Sequence, residues 1–241
     1  VVNPDRKLLT YTPQNGFLGT VTFDVTIEDT FANEDTDQIT VAVFGQFYPK
    51  RVVQDEPVSF WNFNEPDSQG RTAYDVRPAI NHGSYVNLVT RDGQLGPLAQ
   101  DLENSANVDQ GYIRINTSQY NFEDQFTLEY WVRNTNAGSS AVISPLFTVL
   151  NSGTIYRFEL TTDEGSATVQ FNELEVNEWY YFGITYDGQF LRGYVDLELV
   201  SSAPLTGNVQ LPTVINPGLG MAGKVGPLAL YDQVLALADF Q

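Results

Sequence analysis

Apolar and polar residues alternate with a period of two along much of this chain, which makes the β-strand its main local structure. Over residues 20–27, Val21, Phe23, Val25 and Ile27 alternate with Thr20, Thr22, Asp24 and Thr26, so one face of an extended segment is apolar. Residues 38–44 repeat the pattern with Ile39, Val41 and Val43. In residues 126–133, Phe126, Leu128, Tyr130 and Val132 face one way, and Thr127, Glu129, Trp131 and Arg133 the other. Trp131 then stands on the more polar face, as a residue lining a second layer or a groove would. Residues 155–160, 167–171, 179–186, 190–195 and 225–231 read as further strands, rich in aromatic and β-branched side chains. Turn chemistry separates them at Asn15-Gly16, Asp92-Gly93, Asn151-Ser152-Gly153, Asp163-Glu164-Gly165 and Asp187-Gly188, the last being the clearest hairpin. Helix is confined to a short turn over residues 235–240. Many short strands with regular turn signals predict an all-β sandwich.

Composition narrows the chemistry. With 30 acidic and 12 basic side chains and a formal charge of −18, the chain repels a phosphate backbone, so no nucleic-acid partner is expected. It has no Cys, hence no disulfide, thiolate metal site or cysteine nucleophile. One His rules out a multi-His zinc site. Hydrophobic residues make up 42% of the 241, enough for a core. No apolar run approaches the roughly 18–20 residues that span a bilayer, so no membrane insertion is expected of this segment. Val1 is not Met and no leader pattern follows it, so the chain reads as a piece of something longer.

The chain divides near residues 45–50. Residues 1–45 are Thr-rich and acidic and hold about three strands, too few to close a sandwich. They resemble the C-terminal part of the cadherin-like, immunoglobulin-type tandem repeats of bacterial surface proteins. Tyr11-Thr12-Pro13, then Gly16-Phe17-Leu18-Gly19, then the strand 23–29 ending in an acid carry the likeness. The resemblance implies a spacer whose open edge is completed by upstream residues or by a neighbouring subunit. Residues 46–49 read as a linker.

Residues 50–241 resemble the laminin G-like, concanavalin A-type jelly rolls. The carrying residues are Phe60-Trp61-Asn62-Phe63 followed by Asp67 to Gly70; Asp75 before Asn81-His82-Gly83; the strand 126–132; Glu178 to Gly188 with its Trp and its Tyr-Asp-Gly hairpin; Tyr194-Val195-Asp196; and the last strand with Leu235. One departure is Leu197, which stands where that family commonly has Gly. The expected fold is a partial immunoglobulin-like sandwich followed by a jelly-roll β-sandwich.

No catalytic residue is expected. His82 lies in a turn-like loop, and no Gly-x-Ser-x-Gly elbow supplies a nucleophile for it. Glu173, Glu175 and Glu178 have the alternating spacing of glycosidase acids, as do Asp196 and Glu198, but they read as solvated loop acids without a flanking aromatic platform. Many laminin G-like domains hold one Ca²⁺ at a sandwich rim; the resemblance makes Asp67 and Asp75, which flank the first loop, its candidate ligands here. The acids Glu28, Asp29, Asp35 and Asp37 read as a solvated strand edge, or as an interdomain cation site of the cadherin type. Of Tyr112, Tyr120, Trp131, Tyr156, Tyr180, Tyr181 and Tyr186, alternation puts about half in the core; exposed ones would stack on sugar faces.

The resemblance implies an extracellular, cell-surface or virion-surface module that binds a glycan or protein ligand without catalysis. Two alternatives stand beside it. One is a structural subunit that self-associates into an appendage, sheath or virion decoration. The other is an accessory binding domain of a polysaccharide-degrading enzyme.

Overall fold

The structure is a computed structural model and describes residues 2–3, 8–9, 11, 19–28, 31, 33–43, 48–77, 81–91, 96–97, 104–135, 140–150, 154–172 and 174–240. In the first segment β1 (Val2–Asn3) pairs with β2 (Leu8–Leu9), and β3 (Gly19–Glu28) with β4 (Glu34–Val43), both antiparallel. Cross-strand hydroxyl pairs mark the register of the longer hairpin: Thr22 with Thr40 at 3.0 Å and Thr26 with Thr36 at 2.8 Å. β4 starts earlier than alternation predicts and takes Glu34, Asp35 and Asp37 into the strand, all exposed. The turn residues Pro13, Gly16 and Phe17, the acid Asp29, and the turns at Asp92-Gly93 and 151–153 lie outside the described residues.

Helix α1 (Tyr48–Gln54) follows, where the sequence suggested a linker ending at residue 49. Tyr48, Pro49 and Val52 are buried, because one helical turn brings Tyr48 and Val52 onto one face. A single apolar pair at that spacing is too short a pattern to announce a helix in the sequence.

The remaining strands are β5 (Ser59–Trp61), β6 (Thr72–Ala73), β7 (Gly83–Thr90), β8 (Ala106–Asn116), β9 (Phe126–Asn134), β10 (Ser140–Ser144), β11 (Phe147–Leu150), β12 (Ile155–Thr161), β13 (Ser166–Phe171), β14 (Trp179–Tyr186), β15 (Phe190–Val195), β16 (Glu198–Pro204), β17 (Val214–Pro217) and β18 (Gly223–Tyr231). Short 3₁₀ turns lie at Asp67–Gln69 and Leu237–Asp239, the latter within the turn expected over 235–240. The strands form two layers. One runs β6-β7-β8-β17-β10-β11-β12-β13, the other β18-β9-β14-β15-β16 with β5 beside the end of β18. β8 joins the layers: Ala106 and Asn107 pair with β18, while Ile115 and Asn116 pair with β17.

Inward side chains of both layers share one core, which includes Trp61, Val108, Ile113, Phe126, Leu128, Tyr130, Phe147, Phe158, Phe182 and Val225. At about 25 cal/mol per Å² of apolar surface, burial of this kind is what stabilises the sandwich. The layers approach closely where β15 crosses β13; a Cβ on Gly193 would meet the Phe171 ring at 2.6 Å. At the far edges, the Gln170 N–H of β13 donates to Ser201 Oγ of β16 at 3.2 Å.

A second, smaller apolar cluster lies on the outer face of the β18-β9-β14 layer. Tyr48 and Val52 of α1 pack there with Phe60, Tyr181, Tyr231, Leu235 and Phe240, and with the partly buried Trp131. Successive residues of β5 and β9 therefore serve two cores, as the alternation over 126–133 implied: Trp61 and Tyr130 point inward, Phe60 and Trp131 outward.

Candidate functional site

β8 changes phase halfway along. Ala106 and Val108 are buried, then Ile113 and Ile115, so the inward set shifts from even to odd positions. The pairing with β7 shows the cause: Leu88 pairs with Gln110 and Thr90 with Asn107, which leaves one extra residue on β8. Such a bulge bends a strand and re-aims side chains. Here Asp109 and Gln110, neighbours in sequence, both face solvent. Gly111 is required at the bulge, since a Cβ there would sit 2.5 Å from the Val86 carbonyl oxygen and 2.7 Å from Val89 Cγ2. Opposite it Asn87 has φ 61°, a conformation Asn tolerates better than most residues.

The loop between β17 and β18 closes the other side. Gly218, at φ 80°, lets the chain turn tightly against Val108, and Leu219 to Ala222 then face the bulge. The result is an open groove of about 360 Å³, lined by Asn87, Asp109, Gln110, Tyr112, Leu219 and Met221 among others. Asp109 is fixed as its lip. Its Oδ1 accepts the Gly223 N–H at 2.6 Å, and its Oδ2 accepts from Asn107 Nδ2 at 3.1 Å. Partly exposed Tyr112 supplies an aromatic wall, and Asn87, Asp109 and Gln110 supply amide and carboxylate groups. Sequence reasoning named Tyr112 but missed the others. The broken alternation over 106–116, with its Gly, is the signal that could have found them.

The expected ligands Asp67 and Asp75 lie in different settings. Asp75 is buried, and its carboxylate accepts from Ser59 Oγ at 2.6 Å and from the N–H groups of Phe60, Arg77 and Asn81 at 3.0, 3.0 and 3.1 Å. Four donors occupy both oxygens, so this carboxylate does not fit a cation ligand; it ties β5 to the loop before β7. Burial raises its pKa, with these hydrogen bonds opposing. Asp67 Oδ1 accepts the Arg91 N–H at 3.0 Å and lies 3.3 Å from the buried Arg91 guanidinium. Arg91 also donates to the carbonyls of Glu65, Pro66 and Gly70 and stacks 4.0 Å over the Tyr85 ring. Among the described residues, no three acid or His side chains converge on one point.

His82 is half-buried rather than free in its loop. Its Nδ1 accepts the Asp75 N–H at 3.1 Å, and its ring packs edge-on against Tyr74. Burial lowers its pKa, with Asp75 opposing. Glu175, Glu178 and Glu198 are exposed, while Glu173 lies outside the described residues. Asp196 Oδ1 accepts the Tyr181 N–H at 3.0 Å. Of the seven named aromatics, Tyr156, Tyr181 and Tyr186 are core, and Tyr112, Tyr120, Trp131 and Tyr180 are partly exposed.

Glu129 lies on the outward face of β9 beneath α1, and burial perturbs it strongly. Tyr231 donates to its Oε1 at 2.8 Å and Tyr48 to its Oε2 at 3.1 Å. Burial pushes its pKa up to about 7 against the pull of these hydroxyls. An acid enclosed this way has no open path to a substrate.

A sequence model of the concanavalin A-like lectin/glucanases superfamily matches residues 107–234, more than half of the chain. The chain belongs to that superfamily. Residues 1–42 match a bacterial Ig domain. A search of curated proteins gave no match. Among solved structures, the binding domain of botulinum neurotoxin DC, in complex with SialylT, is 15% identical with a TM-score of 0.57; the match covers 77% of this chain and 49% of that one. Domain 4 of an extracellular arabinanase from Geobacillus stearothermophilus, in complex with arabinotriose, is 12% identical at TM-score 0.53, covering 76% and 96%. The Trypanosoma rangeli sialidase in complex with sialic acid is 15% identical at TM-score 0.54, covering 82% and 35%. The chain thus spans about half of the neurotoxin binding domain and nearly all of the arabinanase domain. At these identities the likeness is one of fold, and it agrees with the lectin-like sandwich described above.

Proposed function

We propose that the jelly roll is a non-catalytic carbohydrate-binding module of a surface or extracellular protein, with the immunoglobulin-like segment as its spacer. The bulge in β8 carries this reading. It sets an aromatic ring, two side-chain amides and a carboxylate around one open groove of about 360 Å³, a size within the roughly 300–1,000 Å³ of small-molecule sites. Sugar rings present an apolar face to an aromatic side chain and hydroxyls to amides and carboxylates. The three similar structures, described with a sialylated ligand, arabinotriose and sialic acid, support a glycan as the ligand class.

At this groove the acids support a binding role over a hydrolytic one. Hydrolysis needs two carboxyl groups flanking one bond across an accessible cleft. Asp75 and Glu129 are enclosed by their own hydrogen-bond donors, and Asp109 is the one acid lining the groove among the described residues.

A glycan array, run with and without added calcium, tests the proposal. The chain should retain a defined set of glycans, and Tyr112→Ala should weaken them roughly tenfold, the loss of about 1.4 kcal/mol of stacking. An array with no hits in either condition overturns it. The near-complete match to one domain of an arabinanase favours a second reading, an accessory domain attached to a polysaccharide-degrading enzyme. A catalytic domain in the same reading frame would establish that.

A further inference from the structure

The outer face of the β18-β9-β14 layer is covered at one end and open at the other. α1 and the C-terminal turn cover Glu129, Tyr181 and Tyr231. Beyond Trp131 the same face carries a row in register across four strands. Trp179 on β14 stands opposite Arg133 on β9, Arg133 opposite Lys224 on β18, and Lys224 opposite Asn107 at the start of β8. Residues paired this way point to the same side of a sheet. The adjacent Val132 and Val225 are buried in the central core, so the row points outward. All four of its side chains are partly exposed.

Two cations opposite each other on neighbouring strands repel, and such pairs destabilise a sheet. In a chain with 30 acids, none forms a salt bridge with Arg133 or Lys224 among the described residues. Arg133 instead donates to neutral groups, the Asn177 carbonyl at 2.8 Å and Asn177 Oδ1 at 2.9 Å, which orient the guanidinium without cancelling its charge. Burial, and then Arg133, hold the Lys224 ammonium below its ordinary range, with Asp109 opposing. The outcome is a spot of positive charge at Arg133 and Lys224, bordered by the Trp179 indole on one side and on the other by Asn107, whose amide is bonded to Asp109. It adjoins the groove, because Asp109 at the groove lip accepts the N–H of Gly223, the residue before Lys224.

We propose that this row binds an anionic saccharide, with Arg133 and Lys224 taking a carboxylate or sulfate and Trp179 stacking on the sugar ring. The inference rests on the carbohydrate-binding reading and names the charge class of its ligand. The guanidinium suits a planar or multi-oxygen anion through paired N–H donors, and the ammonium adds a point charge. The net charge of −18 disfavours dense polyanions at long range. The fitting ligand is therefore a chain of mostly neutral sugars with an isolated anionic group.

The test compares sialyllactose, sulfated lactose and lactose, together with an array of neutral and acidic glycans, on the whole chain and on Arg133→Gln, Lys224→Gln and Trp179→Ala. At least one carboxylated or sulfated glycan should bind more tightly than its neutral parent, and each Gln variant should weaken it about tenfold or more. The Arg133→Gln and Lys224→Gln variants should leave binding of neutral glycans within about twofold. Relief of like-charge repulsion should keep the melting temperature of Lys224→Gln at or above that of the parent chain, which separates lost binding from lost fold. Hits confined to neutral glycans, or anionic hits unmoved by the Gln variants, overturn this inference and leave the carbohydrate reading standing. No hits of any kind overturn both. The carboxylated and sulfated arms identify which anion the row selects.

Discussion

Tyr231 donates a 2.8 Å hydrogen bond to Glu129, holding a carboxyl group inside the apolar contact between α1 and the sheet. Tyr48 and Asp55 face that group from α1 and the turn after it, Tyr181 from β14 and Tyr231 from β18. Burial raises the Glu129 pKa from the ordinary 4.5 to about 7, so the fold favours its protonated form. Its contribution to stability is complete below the unfolded-state value of 4.5 and is lost as pH rises through 7. The whole effect is on the order of 3 kcal/mol. Glu129→Gln should remove this component and gain on the parent chain as pH rises from about 5 to about 8. Urea denaturation of both proteins across that range measures it; parallel pH profiles would sink the idea.

Tyr48→Phe should loosen α1 without removing its apolar packing. It deletes the helix's hydrogen bond to the buried carboxylate, at a cost of about 1.5–3 kcal/mol for a bond to a charged group and less where Glu129 is protonated. Amide hydrogen exchange would show faster exchange over residues 48–54 while β9 and β14 stay protected.

Gly111→Ala tests the bulge that builds the groove. The new methyl meets the Val86 carbonyl oxygen at 2.5 Å, and backbone must shift to admit it. A loss of about 1–3 kcal/mol is expected from overpacking. Glycan affinity should fall with it, because Asp109 and Gln110 are re-aimed. A variant of unchanged melting temperature and affinity would contradict the assigned geometry.

Leu197→Gly should stabilise the chain. Asp196 and Leu197 form the two-residue turn between β15 and β16, with φ 47° and 72°. The left-handed conformation costs a non-glycine residue roughly 1–2 kcal/mol, while glycine's extra unfolded-state freedom returns roughly 0.5–1 kcal/mol. A net gain of about 0.5–1 kcal/mol should appear as a melting temperature a few degrees higher.

Asp75→Ala removes an acceptor from Ser59 and three backbone N–H groups at once. Burying those donors unpaired should cost about 3 kcal/mol or more, readable by thermal unfolding. Added calcium should not restore the loss, as it would for a protein whose only defect were a weakened cation site.

Alternation over 126–133, 179–186 and 190–195 was enough to place β9, β14 and β15, because strands buried on one face repeat their pattern at the period of the pleat. It also put Trp131 on the more polar face, lining a second layer or a groove, since a residue's side of a strand depends on its parity alone. Composition excluded thiol and multi-His chemistry. The groove and the basic row were not legible, for two physical reasons. A bulge appears in sequence only as a loss of alternation, which resembles a loop until the partner strand shows the extra residue. Asn107, Arg133, Trp179 and Lys224 are far apart in the chain and meet only through pairing across four strands. The enclosure of Asp75 and Glu129 was equally invisible, because hydrogen-bond donors from β5, α1 and β18 reach them only in the folded chain. The sequence by itself determined strands, faces and excluded chemistries, all properties of local periodicity and residue type. The tertiary structure decided which acids are sealed and which side chains share a surface, because those depend on contacts between distant segments.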